Sequence, residues 1–405
     1  MYIKRNIEKK IYNRLGSDEI LIIKGPCQIG KSTLLKKIIK DIGRKESVYY
    51  ISLENQLNLE YLNDSPMNLF KLIPPENGKK QYILIDEIQY LKDPSRFLKT
   101  VHDKYSDKLK LIVTMSTTFY NNKRNNNSLM GEKRIFELGP LKFREFLSYK
   151  KKSMLDFFSK ETILNGEKRH IPELYKNEIE QYFFEYIKYG GYPSVVLEAD
   201  PVEKEAILEE MVNSYINFDV RKAGIRDTSR FYRLMKLLAE RVGDLLNMSE
   251  LAQILNVSSP TVESYINLLQ ENLKIKLVYP YTRNHSKELS KMPKFYFCDL
   301  GIRNAILNNF DNLPDRWDRE RFFENIVFNI LSSKEETKTL HFWRTQNKHE
   351  VDFIINESIA FDARFNINNS NRSKSKTFKK LYPDMNLQLI TYGNKKNGHI
   401  GVLEI

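Results

Sequence analysis

Apolar positions in the first third of the chain fall into short runs separated by longer amphipathic stretches. Glu19 to Lys24 (EILIIK) predicts a strand, then a glycine-bearing loop, then a helix with Leu34, Leu35, Ile38 and Ile39 on one side. Val48 to Leu53, Tyr82 to Ile85 and Leu109 to Thr114 predict further strands, and strands alternating with helices imply an α/β fold with a mostly parallel sheet. NNKRNNN, Asn121 to Asn127, lacks periodicity and is expected to form a loop. The pattern turns helical from about Phe143 to Arg230, broken at Gly190, Gly191 and Pro193, as in a helical lid or connector. Asp227 to Tyr281 holds three amphipathic helices and then LKIKLVYPY, an expected strand pair; the helix, turn and Pro260-started helix inside it predict a winged helix. From Lys294 the expected order is a strand (KFYFC), a helix through Phe322 to Leu331, and strands at Leu340 to Arg344, Glu350 to Ile355 and Ser358 to Phe365. A polar loop from Asn366 to Lys376, a short helix and the strands NLQLITY and HIGVLEI follow. The resulting division is a parallel-sheet α/β module at 1–142, a helical connector at 143–226, a winged helix at 227–283 and an α/β domain at 284–405.

A chain of 405 residues has room for two to four domains with their own cores. Lys+Arg 65 against Asp+Glu 52 leaves a formal net charge of +13, which favours phosphate-rich partners, although the excess is spread along the sequence. Cys27 and Cys298 form neither a CxxC pair nor a disulfide framework, so a reducing cytoplasm is the expected compartment. No apolar run approaches the ~18 residues of a membrane span, and charges interrupt MYIKRNIEKKIYNRL, so neither a membrane role nor a secretory leader is expected.

The first chemistry lies between the first strand and its helix. Gly25, Pro26, Cys27, Gln28, Ile29, Gly30, Lys31, Ser32 and Thr33 fit GxxxxGK[ST] in the strand–loop–helix setting that motif needs. Its backbone N–H groups and helix N-terminus suit the phosphates of ATP; Lys31 supplies a point charge and Ser32 a hydroxyl for Mg²⁺. In YILIDEIQYL, Asp86 and Glu87 end a buried strand, Asp86 suited to Mg²⁺ and Glu87 to acting as general base on water. Thr114 and Ser116 after the fourth strand are candidate sensors of the γ-phosphate. A switch that binds nucleotide without hydrolysing it is the alternative.

The second chemistry lies near the carboxyl end, in EVDFIINESIAFDARF. A restriction-type nuclease combines a helical acid, a strand aspartate and a D/E-x-K strand, carboxylates holding Mg²⁺ while lysine helps activate water. Here Glu324, Asp352 and Asp362 supply the acids, and Arg364 stands where lysine is expected. Strand alternation puts Asp362 and Arg364 on one face, as it does Glu350 and Asp352. Arginine stays protonated and presents a planar fork, so it replaces such a lysine poorly. The winged helix offers Thr261, Glu263, Ser264, Tyr265 and Asn267 but no Lys or Arg on its second helix. Lys274, Lys276, Arg283, His285, Lys287 and Lys291 follow, so contact with DNA or other nucleic acid would be directed at the backbone.

Together GPCQIGKST, YILIDEIQYL, LGPLKFREFL, YGGYPSVV, NSYINFDVRKAG, TVESYINLLQENLKIKLVYPY, KMPKFYFCDLGIRNAI, FFENIVFNIL and FWRTQNKHEVDFII resemble a widespread archaeal and bacterial family of AAA-type ATPases that carry a C-terminal domain of unknown function. The resemblance implies ATP binding and hydrolysis with Mg²⁺, and a C-terminal domain similar to restriction-endonuclease-like folds. Cys27 stands where the family usually has arginine, Thr114-Met115-Ser116 where it often has TGS, and Glu132 at an arginine position that Arg134 would have to serve. These departures predict a slow ATPase. Its nucleotide state would act on the winged helix and C-terminal domain, gate a Mg²⁺-dependent nuclease, or switch a protein-binding scaffold, in one subunit or an oligomer.

Overall fold

The computed structural model describes residues 2–43, 46–76, 80–116, 129, 131–158, 171–281, 292–334, 337–347, 349–366, 372–392 and 400–404. The chain forms two compact units, residues 1–139 with 271–273, and residues 140–270 with 274–405. Among the described residues no helix is long and apolar enough to cross a membrane. The expected loop at Asn121 to Asn127 lies outside them, as do Arg283, His285, Lys287 and Lys291.

The first unit is built on a parallel sheet in the order β2-β3-β4-β1-β5, with β1 Ile20–Gly25, β2 Val48–Ser52, β3 Gln81–Asp86, β4 Leu109–Ser116 and β5 Lys133–Glu137. Ile20, Leu21, Ile22 and Ile23 are all buried, as a central parallel strand covered on both faces requires. Helix α1, Lys31–Ile42, packs Leu34, Leu35, Ile38 and Ile42 inward, and α2, Pro94–Tyr105, adds Phe97, Leu98 and Val101. Strand β5 was not expected from the pattern, since KRIFE is rich in charge; it lies at the sheet edge, where only Phe136 is buried. Registers Gly25↔Ser116, Ser52↔Asp86 and Ile85↔Val113 bring the carboxyl ends of β1, β3 and β4 to one edge, where α/β sheets hold ligands.

In the second unit, α3 Phe143–Lys150, α4 Glu173–Tyr189 and α5 Pro201–Ser214 precede α6 Thr228–Glu240, α7 Met248–Leu255 and α8 Ser259–Glu271. Helix α4 stops where expected. Gly190 takes φ 76, and a Cβ there would meet the Asp299 carboxylate at 2.3 Å. Asp299 accepts the Gly191 N–H at 2.7 Å and caps the helix that starts at Leu300, which joins YGGYP to FCDLG.

LKIKLVYPY is one strand, not the expected pair. Residues Ile275–Pro280 (β6) pair antiparallel with Lys294–Phe297 (β7), the partner supplied from beyond residue 291. Strand β6 also pairs parallel with Leu340–Arg344 (β8), giving a seven-stranded sheet, β12-β11-β10-β9-β8-β6-β7. Helix α9, Arg319–Ser333, packs against this sheet, whose β8, β9 (Glu350–Ile355) and β10 (Ile359–Arg364) run antiparallel. After α10, Arg372–Leu381, β11 (Asn386–Thr391) lies parallel to β10. Helix α10 overrides the polar loop expected over Asn366 to Lys376: Phe378 is buried against Trp343, an anchor that a run of Ser and Lys does not announce. HIGVLEI holds only Ile400–Gly401 as strand (β12) before a 3-10 turn, Val402–Glu404.

Candidate functional site

At the sheet edge of the first unit, the loop from Gly25 wraps back to the start of α1. Gly30 takes φ 95 and Gln28 φ 62, left-handed conformations that reverse the chain. Gly25 has no room for a side chain, since a Cβ would lie 2.4 Å from the Leu138 carbonyl oxygen. Arg5 braces the loop from behind, donating to the Ile29 oxygen at 3.2 Å and the Gly139 oxygen at 2.5 Å. Ile29 is buried, Cys27 and Gln28 are exposed, and Ser32 and Thr33 open α1.

Lys31 is buried, its ammonium 3.1 Å from the Pro26 carbonyl oxygen and 3.3 Å from Glu87 Oε1. Glu87 follows Asp86 with φ 59 and ψ 52, a conformation that costs a non-glycine residue ~1–3 kcal/mol and recurs at functional sites. That twist turns its carboxylate toward Lys31. Gln89 donates from its amide nitrogen to Glu87, and its oxygen accepts the Ser116 N–H at 3.1 Å. The side chain therefore ties the end of β4 to the acid after β3.

Asp86 is buried and accepts hydrogen bonds from the Tyr50 hydroxyl at 3.0 Å and from Thr114. Burial first, then the Asp86 charge, pushes the Tyr50 phenol up to about 12, so it remains a donor at neutral pH. Thr114 Oγ1 also accepts the Glu87 N–H at 2.8 Å, so in this state Thr114 clasps the two acids. Arg134 is paired in register with Leu21, near the opposite end of β1 from the loop, and binds Glu19 at 3.0 Å. Within one chain it does not stand in for the arginine missing at Glu132.

Sequence reading did not single out Arg5, Tyr50 or Gln89. Gln89 lies inside the IDEIQ run, where a polar amide directly after buried Ile88, three residues beyond the strand end, was the available signal.

The second unit brings Glu324, Asp352, Asp362 and Arg364 together around a residue not anticipated from sequence. Lys294 at the start of β7 is 2 % exposed, with its ammonium 2.8 Å from Glu324 Oε1, 2.7 Å from Glu350 Oε1 and 3.5 Å from Asp352 Oδ1. Tyr296 donates to the same Glu324 oxygen at 2.6 Å. Arg364 binds Asp362 Oδ1 at 2.7 Å and stands 4.0 Å from Asp352 Oδ2, which accepts the Ala363 N–H at 2.9 Å. Arg344 binds the outer oxygen of Glu350 at 2.7 Å. Burial opposes the charge of Lys294, but Glu324, Asp352 and Glu350 outweigh it and hold the ammonium well above its ordinary value. Burial likewise raises Asp352, and Lys294 and Arg364 more than reverse this, leaving it below the usual carboxylate range.

In the segment expected to form a winged helix, Lys274 is not the exposed wing cation anticipated there. It is buried, donates to the Tyr192 hydroxyl at 2.9 Å, and sits over the rings of Tyr192 and Tyr215 at 5.2 and 4.8 Å. Aromatic walls and one hydroxyl consume it. Lys276 is exposed, as are Ser258, Glu263, Ser264 and Asn267.

Three stretches match known families: residues 17–147 one described as AAA domain, residues 180–313 a domain of unknown function (DUF8612), and residues 319–403 another (DUF4143). An uncharacterized protein of Haemophilus influenzae is 24% identical over 377 residues, covering 89% of this chain and 87% of its own. One from Methanocaldococcus jannaschii is 25% identical over 409 residues, covering 97% and 86%. Among solved structures, the Thermotoga maritima RuvB Holliday junction branch migration motor aligns at 18% identity over 71% of this chain and 94% of that one, with a TM-score of 0.29, too low to carry an argument. The chain thus carries an AAA-family P-loop ATPase-like domain at residues 17–147 and a C-terminal DUF4143 domain at residues 319–403.

Proposed function

We propose that the first unit binds ATP with Mg²⁺ and hydrolyses it slowly, its nucleotide state acting on the helical, winged-helix and C-terminal segments at 143–226, 227–283 and 284–405. The observation that supports this best is the Lys31–Glu87–Gln89 chain. The ammonium that would meet phosphate is held by the acid that would activate water, and that acid is held again by an amide. The residues fit the nucleotide: a loop curled by Gly30, a buried lysine at a helix N-terminus, Ser32 in the first turn of α1 and a buried Asp86 at the carboxyl end of β3. Bound Mg²⁺ would offset the charge of the phosphate oxygens, with Ser32 and Asp86 as its chain ligands. Lys31 exchanges Glu87 for phosphate oxygen, which frees one Glu87 oxygen to take a proton from water. Tyr50 and Thr114 hold Asp86 in place.

Gln89 keeps the second Glu87 oxygen engaged, which favours slow turnover. Gln89→Ala is expected to raise kcat by up to about tenfold with little change in KM, the effect of releasing one charge-assisted hydrogen bond of ~1.5 kcal/mol. Phosphate release by the full chain measures it, and a fall in kcat would show that Gln89 positions Glu87 and does not restrain it.

A second reading, a nucleic-acid-processing protein whose ATPase gates the cluster of Glu324, Asp352, Asp362 and Arg364, is supported by the order of α9, three antiparallel strands, α10 and parallel β11. That order suits a restriction-endonuclease-like domain. Burial of Lys274 counts against the wing as a phosphate-binding surface. Turnover with and without DNA or RNA separates the readings: the ATPase-switch reading expects rates that agree within about twofold at physiological salt, and strong stimulation would favour the processing reading.

A further inference from the structure

The carboxylate cluster of the second unit already contains a cation, delivered from a strand far from the motif that suggested a metal site. We propose that the Lys294 ammonium takes the place of a divalent cation there, so that Glu324, Glu350 and Asp352 are held together by the chain itself without bound metal. The inference goes beyond the ATPase reading and does not depend on it.

Three carboxylates on α9 and β9 converge on one Nζ, two of them at 2.7 and 2.8 Å and the third at 3.5 Å. Further bonds engage the cluster. Glu324 Oε1 takes the Tyr296 hydroxyl as well, Glu350 Oε2 takes Arg344, Asp352 Oδ2 takes the Ala363 N–H, and Asp362 takes Arg364. A Mg²⁺ ion needs oxygens at about 2.0–2.1 Å and Ca²⁺ at about 2.3–2.6 Å. Such an ion on Glu324, Glu350 and Asp352 would have to enter where the ammonium sits, and two cations on the same oxygens repel strongly in a region of low polarity. Lys294 has no easy way out, because it is 2 % exposed and its ammonium faces the Phe342 ring at 5.7 Å on another side. The same contacts account for Arg364. The motif can carry arginine because the ammonium comes from Lys294, and the guanidinium serves the outer pair, Asp362 and Asp352.

Manganese ion, counted by the EPR signal of the free ion with the nucleotide-free 405-residue chain, tests the proposal. Any ion held at the phosphate loop is common to all the proteins and cancels. The parent and Asp352→Asn are expected to bind the same number of equivalents, Lys294→Met to gain one, and Lys294→Met combined with Asp352→Asn to lose it again. Loss of an equivalent on going from the parent to Asp352→Asn would overturn the proposal, and so would a folded Lys294→Met that gains none. Should Lys294→Met not fold, Glu350→Gln, at a partly exposed position, decides: binding equal to the parent supports a site filled by lysine, and reduced binding rejects it.

Discussion

Glu87→Gln is expected to bind ATP within a few-fold of the parent and to hydrolyse it at least about 100-fold more slowly, the contribution of a positioned general base. The amide keeps the size and hydrogen-bonding reach of the carboxylate. It can still meet Gln89 and still follow Asp86 through the left-handed turn at φ 59, so the scaffold survives. What it loses is basicity toward water and the ion contact at 3.3 Å to Lys31. Releasing Lys31 from that contact favours phosphate binding if it alters it at all, which is why affinity and turnover should separate. Lys31→Ala provides the opposite pattern: removal of a charge-assisted partner of the phosphates weakens ATP binding by roughly 100-fold, and turnover falls with it. Isothermal titration for binding and phosphate release for turnover read the two quantities independently. Equal hydrolysis by Glu87→Gln and the parent would remove Glu87 from the chemistry and leave a nucleotide-binding switch.

The glycine-bearing loop after β1 and the acids at the end of β3 were legible as local structure because their geometry is local. Nine consecutive residues must curl in one way around phosphate, and a buried strand must end in a carboxylate, so spacing alone carries the information. The four strands expected in this unit appear within a residue or two of their places, whereas β5 did not show, since an edge strand tolerates the charges of KRIFE. Gln89 and Tyr50 were hidden for another reason: their contacts cross between strands, and a polar side chain gives no sign of which neighbouring strand it will meet. The C-terminal cluster divides in the same way. Asp352, Asp362 and Arg364 were visible through strand alternation, but Lys294 comes from β7, and a lone lysine at the head of KFYF reads as a solvated strand end. Lys274 misled in the other direction, since residue type suggested a surface charge and two aromatic rings make it part of the interior. Helix α10 shows how little apolar content tertiary packing requires, with Phe378 seated against Trp343 in an otherwise basic segment.

The largest loss of stability is expected at Asp318, which plays no part in either candidate site. Its two oxygens receive Arg303 at 2.6 Å and Arg316 at 2.8 and 3.1 Å, and all three side chains are buried. Both guanidinium groups also lie over the Phe322 ring, at 5.3 and 4.1 Å, so no water-filled face is available to either on that side. Arg316 has a second acceptor in the Asn309 carbonyl at 2.9 Å, while Nε and Nη1 of Arg303 are buried without a hydrogen-bond partner among the described residues. Burial accordingly lowers Arg303 to about 10, with Asp318 as the charge that keeps it protonated. Asp318→Asn leaves two buried cations facing a neutral amide and should cost about 3–5 kcal/mol, the usual result of breaking a buried ion pair from one side. Trp317 and Trp343 are the chain's tryptophans and both belong to the second unit, so fluorescence during urea unfolding follows this unit alone. Acid offers a second reading. Burial raises the Asp318 carboxyl, but its hydrogen bond from Arg316 and the charge of Arg303 reverse this and leave it lowered. The stability it provides is therefore fully present above the unfolded value of about 3.9 and is lost as pH falls through the lower folded value. The parent should lose this contribution only below about pH 4, and Asp318→Asn should show the deficit already at neutral pH. A variant that unfolds at the parent's urea concentration at pH 7 would mean that the two arginines find other acceptors and that the triad contributes little to the fold.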